Sequence, residues 1–181
     1  MYLVKHRDLI KVSSVFCQKE HLKNNPLGIR LASCSISPRV FPEEKLNLDD
    51  SQWEDIHVVT GALKMFFREL SEPLFPYCFF EQFVKAIKIQ EHDSQVKAIK
   101  DLLQRLPRPN YDTMKILFAH LQKIAAKENM NLMSPQSLGI VFGPTLLRPE
   151  KETGCMAIHM LYQNQLIELM LSEYTKIFGS G

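Results

Sequence analysis

From residue 44 onward, apolar residues recur at helical spacing; before it they do not. Ile56, Val59, Leu63, Phe66, Phe67 and Leu70 fall at the three- and four-residue steps that gather side chains on one helix face. Ser51-x-x-Glu54 reads as a capping box ahead of them, its hydroxyl and carboxylate taking up free N–H groups. Pro73 ends this helix near Ser71, because the residue before a proline avoids the α region. A second helix is predicted from Phe79 to Ile89. A third runs from Ser94 to Leu106, with Val96, Ile99, Leu102, Leu103 and Leu106 on one face, and is stopped by Pro107 and Pro109. Asn110 is placed to cap a fourth, which reaches about Lys127 and is buried through Leu117, Leu121 and Ile124. Ser134-Pro135 opens a short fifth helix, a cap followed by proline at the first helical position, and Gly143-Pro144 ends it. A last helix spans about Cys155 to Phe178. No segment alternates like a strand. The prediction is an all-α bundle of at least six helices.

Residues 1–42 read differently. They hold Pro26, Pro38 and Pro42, a Ser/Cys-rich stretch from Ser33 to Ser37, and only small apolar islands such as Val15-Phe16 and Leu27-Gly28-Ile29. The expected division is a divergent, poorly structured segment over 1–42 and one helical domain over 43–181.

Composition narrows the classes. In 181 residues, 45% are hydrophobic and 23% charged, too apolar for a disordered chain. The formal net charge of +2 is too small for a general nucleic-acid binder, so any basic site is local. Cys17, Cys34, Cys78 and Cys155 form no C-x-x-C pair and suggest neither a zinc ribbon nor a disulfide scaffold. They read as reduced thiols. The opening MYLVKHRDLIKV reaches Lys5 without a signal-peptide apolar run. No stretch approaches the ~20 apolar residues of a membrane span. A soluble, cytoplasmic protein is expected.

The chain carries no enzymatic machinery that reads from its motifs. G-x-x-x-x-G-K-[ST], G-x-G-x-x-G, H-E-x-x-H and G-x-S-x-G are all missing. Cys155 and His159 lie one turn apart, but two ligands do not make a zinc site. His57 and His120 sit in amphipathic helices and read as packing residues. No metal and no cofactor are expected.

Two features stand out from this background. Lys64 and Arg68 are four residues apart and project together, roughly 130° round from the apolar stripe. Near a helix end they make an anion-attracting patch, although a solvated basic pair beside Glu69 and Glu72 fits the same spacing. The second feature runs from Asn131 to Pro149. Leu138, Ile140, Val141 and Phe142 read as core, which leaves Asn131 and Ser137 unexplained near the helix start.

Taken together, these stretches resemble the Rho GTPase-activating (RhoGAP) domain. The matching text is Asp55-Ile56-His57-Val58-Val59, Leu63 through Leu74, Leu106-Pro107-Arg108-Pro109-Asn110, Asn131-Leu132-Met133, and Leu138 to Pro144. The resemblance covers about three-quarters of the chain, from Glu44 to Phe178. It implies a helical domain without a cofactor, docking on a Rho-family small GTPase in its GTP-bound form, with a Rac-like partner favoured. Such a domain is a regulator acting in trans rather than an enzyme with its own substrate pocket. By resemblance, Lys64 and Arg68 contact the GTPase and support the finger loop, and Asn131, Ser137 and Pro144 belong to the same binding surface. Ser137 stands where the family often has asparagine. Leu70-Ser71-Glu72-Pro73-Leu74 has serine in place of one proline of L-P-x-P-L, which should loosen the helix end slightly.

The family's catalytic arginine lies in G-[IVF]-[FY]-R-x-S-G. Such a finger stabilises charge on the transferring phosphate and is worth roughly 10³–10⁵ in rate. The nearest text here is Gly28-Ile29-Arg30-Leu31-Ala32-Ser33-Cys34. Aligned on Gly28 and Ser33, Arg30 takes the aromatic position and Leu31 the finger position. Arg30 is thus the candidate catalytic residue, one place out of register, and impaired catalysis is expected. Three readings remain open: an activator with weakened catalysis, a non-catalytic GTPase-binding module, and a partly folded fragment.

Overall fold

The computed structural model describes residues 56–151 and 156–179. The chain divides into two units, Met1–Glu69 and Leu70–Gly181. The boundary expected near residue 43, the Ser51 capping box and Arg30 lie outside the described residues.

In the first unit, α1 runs over Ile56–Arg68. Leu63 and Phe67 are buried, Phe67 completely, and the Phe66 ring meets Phe67 edge-on at 5.2 Å. Glu69 N–H donates to Met65 O at 2.9 Å and closes the last turn.

In the second unit, a single 3₁₀ turn at Tyr77–Phe79 leads into α2 (Phe80–Ile87). There follow α3 (His92–Gln104), α4 (Arg108–Ala125), α5 (Glu128–Asn131), α6 (Pro135–Leu146), α7 (Met156–Ser172) and α8 (Tyr174–Phe178). No strand occurs among the described residues. The all-α expectation holds.

Several predicted boundaries move, each for a local reason. The third predicted helix (α3) begins two residues before Ser94, because the Glu91 carboxylate caps it, accepting from Asp93 N–H at 3.0 Å and Ser94 N–H at 2.7 Å. Pro109 does not stop a helix; it occupies the first turn of α4, where a missing N–H costs nothing. Asn110 is therefore not a cap, and its side chain serves the loop instead. The fifth predicted helix (α6) continues past Gly143-Pro144 to Leu146. Pro144 has no N–H to give to Ile140 O, so the helix runs on with one rung of its ladder missing. The last predicted helix is two, parted at Glu173, whose φ of −103° and ψ of 25° leave the helical region.

The core of this unit is aromatic at both ends. Phe75 meets Phe83 edge-on at 4.9 Å. At the other end Phe178 packs on Phe118 at 5.6 Å and Tyr174 at 5.2 Å. Met114, Leu117, Phe118 and Leu121 of α4 face inward with Leu166, Ile167, Met170 and Leu171 of α7. Each such side chain contributes roughly 1.5–3 kcal/mol by leaving water. The loop after Leu70 is fixed at three points: Phe75 N–H donates to Leu146 O at 3.1 Å, Asn110 Nδ2 to Leu74 O at 2.9 Å, and Arg148 Nη2 to Leu70 O at 2.6 Å.

α6 and α7 pack extensively against each other. A Cβ placed on Gly139 would stand 2.7 Å from Asn164 O, and one on Gly143 would stand 2.8 Å from the backbone of Gln163. Only glycine at these two positions, four residues apart, lets the backbones approach so nearly.

Candidate functional site

Lys64 and Arg68 lie one turn apart on α1, Arg68 exposed and Lys64 partly so. Their neighbours Leu63 and Phe67, also one turn apart, are buried. The helix therefore turns its apolar pair inward and its basic pair outward, as the periodicity required.

The other candidates belong to the second unit. Asn131 closes α5, and its side chain works within the fold: Nδ2 donates to Ile124 O at 2.8 Å, and Oδ1 accepts from Met133 N–H at 2.9 Å. That clamp holds a tight turn whose next residue, Leu132, has φ 58° and ψ 19°. Leu132 is a non-glycine residue in the left-handed region and is 81% exposed. Met130 beside it is exposed as well.

Ser134 caps α6 by accepting from Ser137 N–H at 3.0 Å, and the two hydroxyl oxygens are also 3.0 Å apart. Ser137 is half-buried and Pro144 half-buried. With Ile140 they follow an i, i+3, i+7 spacing and share one face of α6. Leu138, Phe142 and Leu146 point into the core.

Ile140 is a correction. It reads as core in the sequence, yet it is 57% exposed. Gly139 and Gly143 lie pressed against α7, and in this rotation of α6 Ile140 faces outward. Periodicity could not show this, because α6 is apolar nearly all round. Leu132 and Met130 were missed for a similar reason: an apolar residue in a short connection carries no signal of its exposure.

Of the remaining candidates, the His57 side chain and Cys155 lie outside the described residues. His120 is buried in α4, as a packing histidine should be, and His159 meets the Phe80 ring edge-on at 5.2 Å. Among the described residues no three His, Cys, Asp or Glu side chains group as metal ligands. Among the same residues, no helix is long and apolar enough to cross a membrane.

Residues 37–151 match the RhoGAP domain. The chain belongs to the RhoGAP domain family. It is 83% identical over 141 residues to Rho GTPase-activating protein 15 of Gallus gallus, covering 78% of this chain and 30% of that protein. The crystal structure of human Rho GTPase-activating protein 15 superposes with a TM-score of 0.76 at 60% identity, covering 93% of this chain and 83% of that one. The BH domain of GRAF, a GTPase regulator associated with focal adhesion kinase, gives a TM-score of 0.72 at 31% identity, with 96% of each chain covered. The chain spans less than a third of the length of the chicken relative. Arg30 precedes the span that matches the RhoGAP domain, whereas Lys64, Arg68, Asn131, Ser137 and Pro144 fall within it.

Proposed function

We propose that residues 43–181 form a RhoGAP body that docks on a GTP-loaded Rho-family GTPase, Rac-like by preference, and accelerates its hydrolysis weakly in the cytoplasm. The observation that carries this reading is the outward Lys64–Arg68 pair on a helix whose Leu63 and Phe67 are buried. Two cations held one turn apart suit an anionic partner surface. The exposed Leu132 and Ile140, flanking Ser137, supply apolar area beside polar groups, the usual composition of a docking surface.

Weak acceleration follows from chemistry rather than from binding. Aligned on Gly28 and Ser33, the sequence puts Leu31 at the family's finger position, and a leucine offers no charged hydrogen bond to the γ-phosphoryl oxygens. Losing a finger worth roughly 10³–10⁵ in rate raises the barrier by about 4–7 kcal/mol. In this reading Ser137 and Pro144 serve binding directly, Asn131 serves it through the turn that its amide clamps, and Arg30 is the candidate for any residual charge stabilisation. The same leucine supports a second reading, a module that binds the GTPase without activating it.

Single-turnover phosphate release separates the two. Three proteins are compared: this chain, its Arg30→Ala variant, and a chimera with G-I-Y-R-V-S-G and its flanking helices restored. The first two should be similarly slow and the chimera fast. A rate for this chain equal to the chimera's, abolished by Arg30→Ala, would make Arg30 the finger. A rate for this chain equal to the GTPase alone, with binding intact, would favour the non-catalytic module.

A further inference from the structure

Asn164 lies on α7, after the residues that match the family domain, and its position is tied to the two glycines of α6. The Cβ that Gly143 lacks would stand 2.8 Å from the Asn164 side-chain amide. That space is therefore a notch, and the amide occupies it. In the orientation its partners require, Asn164 Nδ2 donates to Gly139 O at 3.2 Å and to Met160 O at 3.1 Å. One bond stays within α7 and the other crosses to α6. Asn164 O closes the approach from the other side, 2.7 Å from where a Gly139 Cβ would be.

We propose that Asn164 is a positioning residue for partner docking: its amide, keyed into the Gly139–Gly143 notch, fixes the rotation of α6 and so the direction of Ser137, Ile140 and Pro144. Apolar packing alone does not fix that rotation. Leu138, Phe142 and Leu146 would stay covered over a range of small rotations, because burial is non-directional. A hydrogen bond to a named carbonyl is directional and loses strength steeply off its axis. A turn of α6 about its axis swings every side chain on it through the same angle, the exposed Ile140 included. The inference rests on the proposed docking role of that face, and two separate readouts keep the claims apart.

The first readout needs no partner. Asn164→Ala empties the notch, and Asn164→Asp keeps its shape but replaces the donor with oxygens facing two carbonyls. In both, the Ile140 methyl resonances should shift and the amides from Ile140 to Gly143 should exchange faster. Gln165→Ala, on the exposed side of α7, should change neither. The second readout is affinity for a GTP-loaded Rac-type GTPase, measured well below each variant's melting transition. Dissociation constants should rise about fivefold for both Asn164 variants, the size of one lost hydrogen bond. A merely structural role predicts a lower melting temperature with unchanged affinity, and that result overturns the proposal. Unchanged Ile140 resonances overturn it too. If the parent chain does not bind the GTPase at all, the docking reading fails, while the methyl shift still decides whether Asn164 orients α6. Should Asn164→Asp fail to fold, Asn164→Ala carries both measurements.

Discussion

Asn110 Nδ2 donates to the backbone oxygen of Leu74 at 2.9 Å, across 36 positions of sequence. A polar residue in the first turn of α4 thus holds the carbonyl of a completely buried leucine. Asn110→Leu should remove the donor without leaving space and strand that carbonyl. The expected loss is about 1–3 kcal/mol, the cost of an unsatisfied buried acceptor. Urea unfolding measures it, and a change below a few tenths of a kcal/mol would mean that water replaces the bond.

Gly139→Ala and Gly143→Ala should each destabilise the second unit. The added methyl meets backbone in both cases, and backbone cannot swing aside as a side-chain end can. Overpacking of this kind costs roughly 1–3 kcal/mol, against a helix-propensity gain of about 1 kcal/mol for removing glycine. The net sign is destabilising where packing dominates. A thermal melt equal to or above the parent's would show that α7 can move away from α6.

Acid should loosen the contact between α3 and α8. Hydrogen bonds from Lys176 and then His92 hold the Glu173 carboxyl below its ordinary value of 4.5. His92 Nε2 lies 3.1 Å from Glu173 Oε1, and Lys176 Nζ lies 2.9 Å from Oε2. A carboxylate whose folded pKa is depressed adds stability above its unfolded pKa, and that stability is lost as pH falls through the folded value. The melting temperature should therefore fall below about pH 4.5, and less steeply in Glu173→Gln. Parallel curves for parent and variant would remove Glu173 from the acid transition.

Lys64→Ala and Arg68→Ala should weaken GTPase binding while leaving stability within about 0.5 kcal/mol, since both side chains lie outside the buried stripe. An interface residue that matters costs more than about 1 kcal/mol on truncation, or roughly fivefold in affinity. Titration against a GTP-loaded Rac-type protein reads this directly. Unchanged affinity in both variants would reassign the contact.

Much of the helical order was legible in the residues, for a plain reason. Where a helix has one wet and one dry face, spacing reveals it, and Val96, Ile99, Leu102 and Leu103 of α3 all prove buried. Spacing says little about ends, which are decided by single hydrogen bonds such as the Glu91 cap. It also fails on α6, whose orientation depends on close approach at Gly139 and Gly143. The basic pair of α1 was visible because charge at a four-residue interval is a surface pattern. Asn131 was visible as an oddity, but its bonds to Ile124 and Met133 show it building the turn. Asn164 gave no sign at all, since its meaning comes from a notch on another helix.

Leu132 is a residue that the fold itself would not choose. Its left-handed backbone suits glycine or asparagine and costs a leucine roughly 1–2 kcal/mol, while its side chain recovers almost nothing by burial. On the docking surface proposed above, folding and docking pull this position in opposite directions. A library at 132 sorted by heat resistance should drift to glycine, and one sorted by GTPase capture should return to a large apolar residue.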